Sequence, residues 1–386
     1  MSFKFAESDK PAQIKVIGVG GAGGNGIFRM MEENLHGVDF IAVNTDKQAL
    51  DNNPAPSKIQ IGRNVTRGLG AGSDPQIGRL AMEEDKETLT NLLSETDMLF
   101  VTCGMGGGTG TGASPIIASI ARDQGILTVG IVTKPFQFEG IKRMQNADKG
   151  VSELRDIVDT LIVIQNQRLL SIVEKNTPLT DAFKIADGTL MQATRGISDL
   201  ITIPGLINLD FADIKTIMKE KGDAIMGIGT AKGENKAAEA ATQAISSPLL
   251  EDISIEGAEG LLINITGGND LGLFDVNEAA TVITEVVGNG ANIILGSVID
   301  ENLEDEVRVT VIATGLNKER KKHIVLDEDN QFFNIQRSQN KTEEVEEKDE
   351  VIEKIETILD FEKEDIEKVA FAGDLDIPTF LRKQMD

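Results

Sequence analysis

The chain has few of the residues that build disulfides and transition-metal sites. Its 386 residues include one cysteine, Cys103, and two histidines, His36 and His323. One cysteine cannot form an internal disulfide, and these three residues do not supply the ligand cluster that zinc requires. We therefore expect Cys103 to be a small buried residue at the end of a strand.

Long hydrophobic runs are also missing. No stretch approaches the roughly 18 apolar residues that span a bilayer, and the amino terminus, MSFKFAESDK, has no apolar signal-peptide region. Basic residues are in deficit, because 38 Lys and Arg stand against 63 Asp and Glu, giving a net charge of −25. This charge repels nucleic-acid phosphates and anionic membrane surfaces. We expect a cytoplasmic protein that neither binds nucleic acid nor inserts directly into a membrane.

The first half of the chain alternates short β-branched runs with helical stretches. This pattern is typical of a parallel sheet with helices on both faces, in which ligands bind at the carboxyl ends of the strands. The predicted strands are Ile14 to Gly18, Phe40 to Asn44, Met98 to Thr102, Leu127 to Thr133 and Leu161 to Gln165.

The second half has a different pattern. A long helix is predicted over Leu179 to Ile201, followed by a second α/β domain whose helix carries apolar Val276, Ala279, Ile283 and Val287. The alternating residues Val307 to Ile312 predict a strand with one covered face, and Ile293 to Ile299 predict its neighbour.

After Leu316 the composition changes again. Residues 327–368 are dominated by Glu, Asp and Lys without glycine or proline, which favours a solvated linker. Ile352, Ile355 and Leu359 recur at helical spacing, so an amphipathic helix and a transient helix without a partner both stay open. The apolar stretch GDLDIPTFLRKQ follows it.

Two glycine clusters point to phosphate binding. In GVGGAGGNG, Gly18, Gly20 and Gly23 match G-x-G-x-x-G between a strand and a helix predicted to begin near Asn25. Asp46 ends the next strand, where a dinucleotide enzyme places its ribose-binding acid, so a nicotinamide-dependent dehydrogenase is one hypothesis.

The second cluster, GMGGGTGTGAS, follows the run Met98 to Thr102 and opens another helix. Successive glycines let backbone amides converge on an anion, and Thr109 and Thr111 add hydroxyl groups at the positive end of the helix dipole. A dehydrogenase has no need of this second phosphate cradle. The chain contains no G-x-x-x-x-G-K-[ST] motif, so the lysine-containing P-loop is absent.

The GGGTGTG motif resembles the signature of the tubulin/FtsZ family of GTPases, and the similarity runs from the Gly18 loop to about Leu316. It implies an α/β fold, with a Rossmann-like parallel-sheet GTPase domain and a smaller α/β domain with a mixed sheet, joined by a long central helix. The predicted organisation is a flexible amino terminus (1–12), a GTP-binding domain (13–178), the central helix (179–201), a polymerisation and GTPase-activating domain (202–318), an acidic linker (319–373) and a partner-binding peptide (374–386).

The resemblance also implies which residues hold GTP and its product GDP. Around the phosphates it places Gly21, Ala22, Gly23, Gly24, Asn25, Gly107, Gly108, Thr109 and Gly110, with Ala71 and Gly72 near the γ-phosphate. Glu139 and Arg143 would meet the ribose and the adjacent phosphate, although their spacing alone predicts only a helical salt bridge. A magnesium ion would bridge the phosphates.

Base recognition has its own physical logic. Phe183 and Asp187 share one face of the central helix, so the ring can stack on a purine while the carboxylate accepts hydrogen bonds from guanine N1–H and N2–H. Adenine presents a lone pair at that edge, so ATP would leave a buried carboxylate unpaired. Asn166 resembles another purine contact of the family.

Hydrolysis requires a group that orients water at the γ-phosphate. In NLDFAD, Asp210 and Asp213 lie three residues apart at a predicted helix start, where an ordinary cap and first-turn acid would also fit. The resemblance implies that this segment enters the nucleotide pocket of the next subunit. Asn208, Asp210 and Asp213 would then complete a catalytic site shared across a head-to-tail polymer.

The tail resembles the family's carboxyl-terminal recognition peptide. Its candidate partner-binding residues are Asp376, Ile377, Pro378, Phe380, Leu381 and Arg382. The resemblance implies binding to membrane-tethering division proteins such as FtsA-like adaptors, and a bacterial division ring at mid-cell. Our main hypothesis is a polymer-forming GTPase. The alternatives are the dehydrogenase and a nucleotide-binding scaffold that assembles without turnover.

Overall fold

The structure is a computed structural model that describes residues 11–316, except 172, 174, 175, 204, 206, 208, 251–253, 289 and 302. The predictions for the acidic linker and the carboxyl-terminal peptide lie outside the described residues and stay predictions. The same holds for nearly all of the amino-terminal segment and for Asn208.

Within the described residues, ten strands form one sheet in the order β3-β2-β1-β4-β5-β6-β7-β10-β8-β9. They are β1 (Ile14–Val19), β2 (Asp39–Asn44), β3 (Ser57–Gln60), β4 (Met98–Gly104), β5 (Leu127–Lys134), β6 (Thr160–Gln165), β7 (Gly222–Lys232), β8 (Gly260–Gly267), β9 (Asn292–Ile299) and β10 (Glu306–Thr314). All neighbours from β3 to β7 are parallel, whereas β10 is antiparallel to β7 and β8.

Helices cover both faces of this sheet. They are α1 (Gly20–Glu32), α2 (Lys47–Asp51), α3 (Arg63–Thr66), α4 (Pro75–Glu84), α5 (Lys86–Leu92), α6 (Thr109–Asp123), α7 (Ile141–Arg155), α8 (Asn166–Leu169), α9 (Leu179–Thr202), α10 (Phe211–Met218), α11 (Lys236–Ile245) and α12 (Leu273–Val287). Short 3₁₀ turns span Gln137–Glu139 and Pro248–Leu250. Among the described residues, no helix is both long enough and apolar enough to cross a membrane.

Alternate residues of the parallel strands enter two different cores. In β1, Val16 belongs to the core beneath α1 and α9, while Ile17 belongs to the core beneath α4, α6 and α7. A third core lies in the carboxyl-terminal half, where α11 and α12 cover β8 and β10. This confirms the predicted α/β class with strands covered on both faces.

The sequence predicted most strand positions correctly, but it did not predict β3, β7 or β8. β3 is a short, polar edge strand. β7 contains glycines that read as turn residues, yet Gly227 and Gly229 are required because α11 lies directly against the strand. A Cβ at Gly227 would come within 1.9 Å of the Ala244 carbonyl oxygen, and one at Gly229 within 2.0 Å of that of Ala240. The glycines therefore serve helix-on-strand packing.

One predicted pairing is wrong. We expected the strand at Ile293 to Ile299 to lie beside the strand at Val307 to Ile312, but β9 pairs with β8, and β8 separates it from β10. The reason is topological. β8, α12 and β9 form a parallel crossover unit, which places β9 next to β8, and β10 then returns between β7 and β8.

The central helix α9 is 24 residues long and confirms the predicted helix, ending one residue later at Thr202. It packs on α1 and β5 in the first half and on β8 and β9 in the second. The two halves also share the sheet directly, through the pairs from Thr160↔Gly222 to Ile162↔Ala224.

Two helical glycines should respond in opposite ways to alanine. A Cβ at Gly112 of α6 would lie 2.0 Å from the Pro75 carbonyl oxygen, whereas one at Gly188 of α9 meets nothing within 4 Å. We expect Gly112→Ala to lower the free energy of unfolding by about 1–3 kcal/mol because α4 must move away. Gly188→Ala should raise it by about 0.5–1 kcal/mol. Nucleotide-free thermal unfolding of both variants checks this, and a loss of stability in Gly188→Ala would contradict it.

Candidate active site

The glycine clusters meet at one edge of the sheet. β1 and β4 are adjacent and in register from Ile14↔Met98 to Val19↔Cys103, so the clusters that follow them lie side by side at the strands' carboxyl ends. This is the edge at which open α/β sheets bind ligands. Cys103 itself is buried at the end of β4, and burial raises the pKa of its thiol to about 12, so the prediction of a small core residue is confirmed.

The first cluster differs from expectation in one respect. We predicted a loop followed by a helix near Asn25, but α1 begins at Gly20. The residues from Gly21 to Asn25 therefore form the first turns of the helix. The cause is close packing: a Cβ at Gly23 would meet the Thr102 carbonyl oxygen at 2.4 Å, and one at Gly18 would meet the Gly23 oxygen at 2.3 Å. The glycines let the helix start directly on the strand ends.

The second cluster also ends in a helix start. Gly106 has φ +98°, its N–H donates to Thr111 Oγ1 at 2.8 Å, and α6 begins at Thr109. The hydroxyls of Thr109 and Thr45 lie 2.6 Å apart. Neither α1 nor α6 has a side-chain cap, so the first-turn amides of both helices remain available to an anion.

The glycines of the two clusters fall into two groups. A side chain at Gly18, Gly23 or Gly110 would collide with protein backbone, whereas Gly21 and Gly107 have no atom within 4 Å of a Cβ position. Packing within the chain explains the first group and leaves the second unexplained. Gly21 and Gly107 flank open space on the same edge, which fits a ligand that comes close to the backbone.

A third loop lies against the second cluster. Ala71 is buried, Gly72 and Ser73 have φ of +56° and +63°, and Asp74 caps α4 by accepting from the Gln76 N–H at 2.9 Å. A Cβ at Gly108 would come within 2.7 Å of the Ala71 Cβ and 2.9 Å of the Asp74 carbonyl oxygen. Gly108 therefore allows the loop of Ala71 and Gly72 to close over the second cluster.

Glu139 and Arg143 form the predicted salt bridge, with 2.8 Å between Arg143 Nη1 and Glu139 Oε2. Glu139 Oε1 also accepts from the Phe136 N–H at 2.8 Å. A Cβ at Gly106 would lie 2.6 Å from the Arg143 carbonyl oxygen, so the start of α7 packs on the second glycine cluster. The ion pair thus lies beside the candidate phosphate cradle.

An aromatic cluster holds Phe183 in place. The buried Phe136 ring contacts Phe183 edge to face with centroids 5.5 Å apart and stacks on Phe138 at 5.1 Å. Phe183 itself is 38% exposed, so its ring is open to a stacking partner. The sequence reasoning missed Phe136 and Phe138, although the motif KPFQF after β5 carried the signal.

Two candidate purine contacts are hydrogen-bond acceptors, the half-buried Asp187 and the buried Asn166. Burial raises the pKa of Asp187 to about 6, and the positive charge of Arg29 partly offsets the effect. Asn166 is buried, and its Oδ1 has no hydrogen-bond partner in the part of the chain that the structure describes. A ligand edge with N–H donors would satisfy both groups.

The cavity beside α1 adds Asn44 and Asn53, which the sequence did not suggest as site residues. It measures about 220 Å³ and is lined in part by Gly21, Asn25, Asn44 and Asn53. Asn53 Nδ2 donates to the Gly24 carbonyl oxygen at 2.8 Å. A larger cleft of about 860 Å³ opens at the opposite end of the sheet, where Arg155 pairs with Asp223 at 2.6 Å. We assign the site to the glycine clusters at the carboxyl ends of the parallel strands, where backbone amides converge. The cleft at the amino ends of the strands lacks such amides.

Asp210 and Asp213 lie far from this edge. Phe183 is near the start of α9, and from there to Thr202 the helix spans roughly 28 Å. α10 follows, and Met218 is its last residue. The Met218 carbonyl accepts a hydrogen bond from the Thr160 hydroxyl, which lies at the amino end of β6. Both carboxylates are exposed, at the start of α10. One chain therefore does not bring them to its own glycine clusters.

Asp46 does not act as the dehydrogenase hypothesis requires. Its carboxylate caps α2 by accepting from the Ala49 N–H at 3.1 Å. Within the described ranges, no group of three or more His, Cys, Asp or Glu side chains is placed to hold a metal ion.

These features define a tubulin-like nucleotide-binding fold: two uncapped helix starts after adjacent parallel strands, a candidate base site on a long central helix and a mixed sheet beyond it. Family models agree. The Tubulin/FtsZ family GTPase domain matches residues 13–174, and the FtsZ family C-terminal domain matches residues 222–317. The chain belongs to the FtsZ family and is a GTPase, so the dehydrogenase hypothesis is wrong.

Solved structures support the same conclusion. The chain is similar to the structure titled FtsZ dimer, empty, from M. jannaschii, with 46% identity over 81% of this chain and 90% of that chain and a TM-score of 0.78. CetZ1 from Haloferax volcanii, a GDP-bound monomer, shares 22% identity over 78% and 94% of the two chains, with a TM-score of 0.68. CetZ2 from the same organism, a GTPγS-bound protofilament, shares 19% identity over 78% and 92%, with a TM-score of 0.65. The two CetZ structures show the fold alone.

The split between packing glycines and open glycines predicts two kinds of defect. Gly107→Ala should leave the nucleotide-free thermal midpoint nearly unchanged but weaken GTP binding by about 10- to 100-fold, because the methyl group enters space reserved for phosphate. Gly108→Ala should instead destabilise the chain, because its methyl group meets Ala71 and Asp74. Calorimetric titration with GTP and thermal unfolding separate the two effects. Unweakened GTP binding by Gly107→Ala would contradict the assignment.

Asp187 predicts a trade between stability and selectivity. Because its folded pKa of about 6 lies above its ordinary value, stability falls as the pH rises from about 4 to about 6, and the cost is fully present above that range. We expect Asp187→Asn to raise the nucleotide-free stability at pH 7.5 by about 1–2 kcal/mol, with no gain at pH 3.5. It should also reduce the preference for GTP over ATP.

Thermal unfolding at both pH values, with and without each nucleotide, checks this prediction. Asp213→Asn is the control, since that carboxylate is exposed. Equal stabilisation of the unaltered chain by GTP and ATP would refute the role of Asp187 in guanine selection.

Proposed function

We propose that this chain is a cytoplasmic, GTP-hydrolysing cytoskeletal protein that polymerises head to tail and completes each active site between two subunits. The observation that carries the proposal is the distance within one chain between the glycine clusters and the exposed carboxylates of Asp210 and Asp213. A second copy stacked on the first would bring these acids to its neighbour's nucleotide. A head-to-tail contact of this kind repeats into a filament.

GTP would lie at the carboxyl ends of β1 and β4. Gly21, Ala22, Gly23, Gly24 and Asn25 would face the phosphates from α1, and Gly107, Gly108, Thr109 and Gly110 from the second cluster, with Ala71 and Gly72 near the γ-phosphate. Glu139 and Arg143 would contact the ribose side, and Asn166, Phe183 and Asp187 the guanine. Amide donors and the two helix dipoles suit a triphosphate, and a magnesium ion would add charge neutralisation when bound.

Hydrolysis would depend on positioning. Asp210 and Asp213 of the next subunit, together with Asn208, would orient the attacking water, because phosphoryl transfer needs little covalent help from the protein. A monomer would bind GTP but lack this group. Assembly and turnover are thereby coupled. After hydrolysis, GDP would remain at the interface between the two subunits.

Exposed apolar residues support self-association. Leu69, Phe138 and Ile141 surround the candidate GTP site, and Leu273 and Phe274 open α12 with exposures of 82% and 88%. Exposed apolar patches on two sides of one chain fit a heterologous contact between copies. The similar M. jannaschii protein is described as a dimer.

The cellular role we propose is a division ring at mid-cell. The family supports it, and the terminal segment DLDIPTFLRK has the apolar anchors and cations of a peptide that binds a partner's groove. Asp376, Ile377, Pro378, Phe380, Leu381 and Arg382 would then join the filament to membrane-tethering proteins such as FtsA-like adaptors.

Mixing two defective variants tests the shared site. Asp213→Ala should bind GTP normally and hydrolyse it at least about 100-fold more slowly, because the lost contact acts in the transition state. Gly107→Ala should bind GTP poorly but keep its acids. An equimolar mixture should hydrolyse more GTP per chain than the average of the two, since intact pockets then meet intact acids.

The matched control replaces the second partner by the double variant Gly107→Ala/Asp213→Ala, which supplies no acid and should give no gain. Phosphate release is measured over a concentration series together with sedimentation. Hydrolysis per chain that stays constant down to dilute monomer would refute the composite site.

A further inference from the structure

Lys236, at the start of helix α11, contacts two turns at one end of the carboxyl-terminal half. Lys236 opens α11, and its Nζ contacts Asp270, in the turn between β8 and α12, and Asp305, in the turn between β9 and β10, the latter at 3.2 Å. We call Lys236, Asp270 and Asp305 the lysine clamp. One member opens a helix and the other two come from different turns, so the clamp ties together segments far apart in the sequence.

Local structure does not explain this lysine. Its side chain is only 8% exposed, and a cation in the first turn of a helix faces the positive end of the helix dipole. Both features cost free energy, and the two carboxylates offset it. Hydrogen bonding to Asp270 raises the pKa of Lys236 and lowers that of Asp270, so both groups stay charged.

Backbone contacts hold the same turn. A Cβ at Gly268 would lie 2.0 Å from the Leu303 carbonyl oxygen, so the turns that carry Asp270 and Asp305 touch directly. The Leu271 N–H donates to the Gly268 oxygen at 3.1 Å, and the Leu271 side chain enters the third core. After Gly272 come Leu273 and Phe274, whose side chains are almost fully exposed. The turn is thus fixed from behind while it presents two apolar side chains to solvent.

The segment that carries Asp210 lies at this same end of the sheet. Near the end of β9, Ser297 bridges to Ile207, and a Cβ at Gly296 would meet Leu209 at 3.3 Å, just before Asp210. β8 and β9 finish side by side, with Gly267 opposite Ile299, and the turn of Asp270 follows at once. Leu273 and Phe274 therefore start from the same end of the sheet as the segment that carries Asp210.

We propose that the lysine clamp positions Leu273 and Phe274 for contact with the nucleotide-side face of a second copy of this chain. This inference rests on the head-to-tail assembly proposed above and assigns Lys236 as a positioning residue for it. The occupant is a second copy because that face exposes matching apolar residues, Leu69, Phe138 and Ile141, around the GTP site. The clamp sets the direction of the apolar pair, and the pair supplies the buried area.

The test uses the full chain and the critical concentration for GTP-dependent sedimentation. Lys236→Met keeps the apolar stem and removes the charge, and the carboxylates it leaves are exposed enough to be hydrated. We expect the critical concentration to rise about tenfold while GTP affinity changes less than about twofold. Lys236→Arg should restore assembly to within about threefold of the unaltered chain. Asp305→Asn provides a second route if Lys236→Met folds poorly, since the Asp305 side chain is 70% exposed.

The matched control is Lys232→Met. Lys232 pairs with Glu306 at 3.1 Å in the same domain, but its side chain is 68% exposed and its partner begins β10. It should leave the critical concentration unchanged, and so should a core variant, Ile283→Val, chosen for a comparable loss of thermal stability. If either raised the critical concentration as much as Lys236→Met, general destabilisation would explain the effect and the clamp would be refuted.

A double variant separates positioning from additive damage. Phe274→Ala alone should raise the critical concentration, and adding Lys236→Met to it should change the value by less than about twofold, because the clamp then has nothing to position. Additive effects would overturn the inference. If the unaltered chain did not sediment with GTP, the proposed function would fail first. If it sedimented and Phe274→Ala assembled normally, only the placement of this contact would fail.

Discussion

The close approach of α1 to the ends of β1 and β4 is the constraint on which the rest of the site depends. Gly18 and Gly23 allow it, because a single methyl group at either position would strike backbone within 2.4 Å. The same helix packs on α9 through Gly26 and Leu190, whose Cδ1 lies 3.5 Å from a Cβ at Gly26. The position of α1 therefore determines where the amides near Gly21 lie and how far they are from the candidate base site on α9.

The site is left unsatisfied in ways that a ligand can correct. Both helices at the site, α1 and α6, start without side-chain caps, and burial raises the pKa of Asp187. Among the described residues, the buried Oδ1 of Asn166 has no hydrogen-bond partner. Each feature destabilises the nucleotide-free chain, and in the proposed site a guanine triphosphate would supply the matching donors or charge. The nucleotide-free chain is less stable as a result, and the same features would favour nucleotide binding, as is usual at functional sites.

In the proposed assembly, the long helix α9 separates two groups of residues that would act on the nucleotides of different subunits. α9 runs between the two halves, with Phe183 and Asp187 near its start and Asp210 and Asp213 beyond its end. Its packing on β5 and on β9 holds the two ends at a fixed separation. At the far end, buried charge in the lysine clamp fixes the turn of Asp270, as buried ion pairs can do where a particular geometry matters more than net stability.

The sequence alone determined the α/β class, most of the strands, both glycine clusters and the family, because hydrophobic alternation and glycine spacing are local signals. It could not determine that β9 lies beside β8, that Gly227 and Gly229 belong to a strand, or that Gly108 faces Ala71 while Gly107 faces open space. Nor did it suggest Phe136 behind Phe183 or the meeting of Lys236 with Asp270 and Asp305. These are contacts between residues distant in the chain, and only the folded packing of helices on the sheet decides which side chains have room, partners or neither.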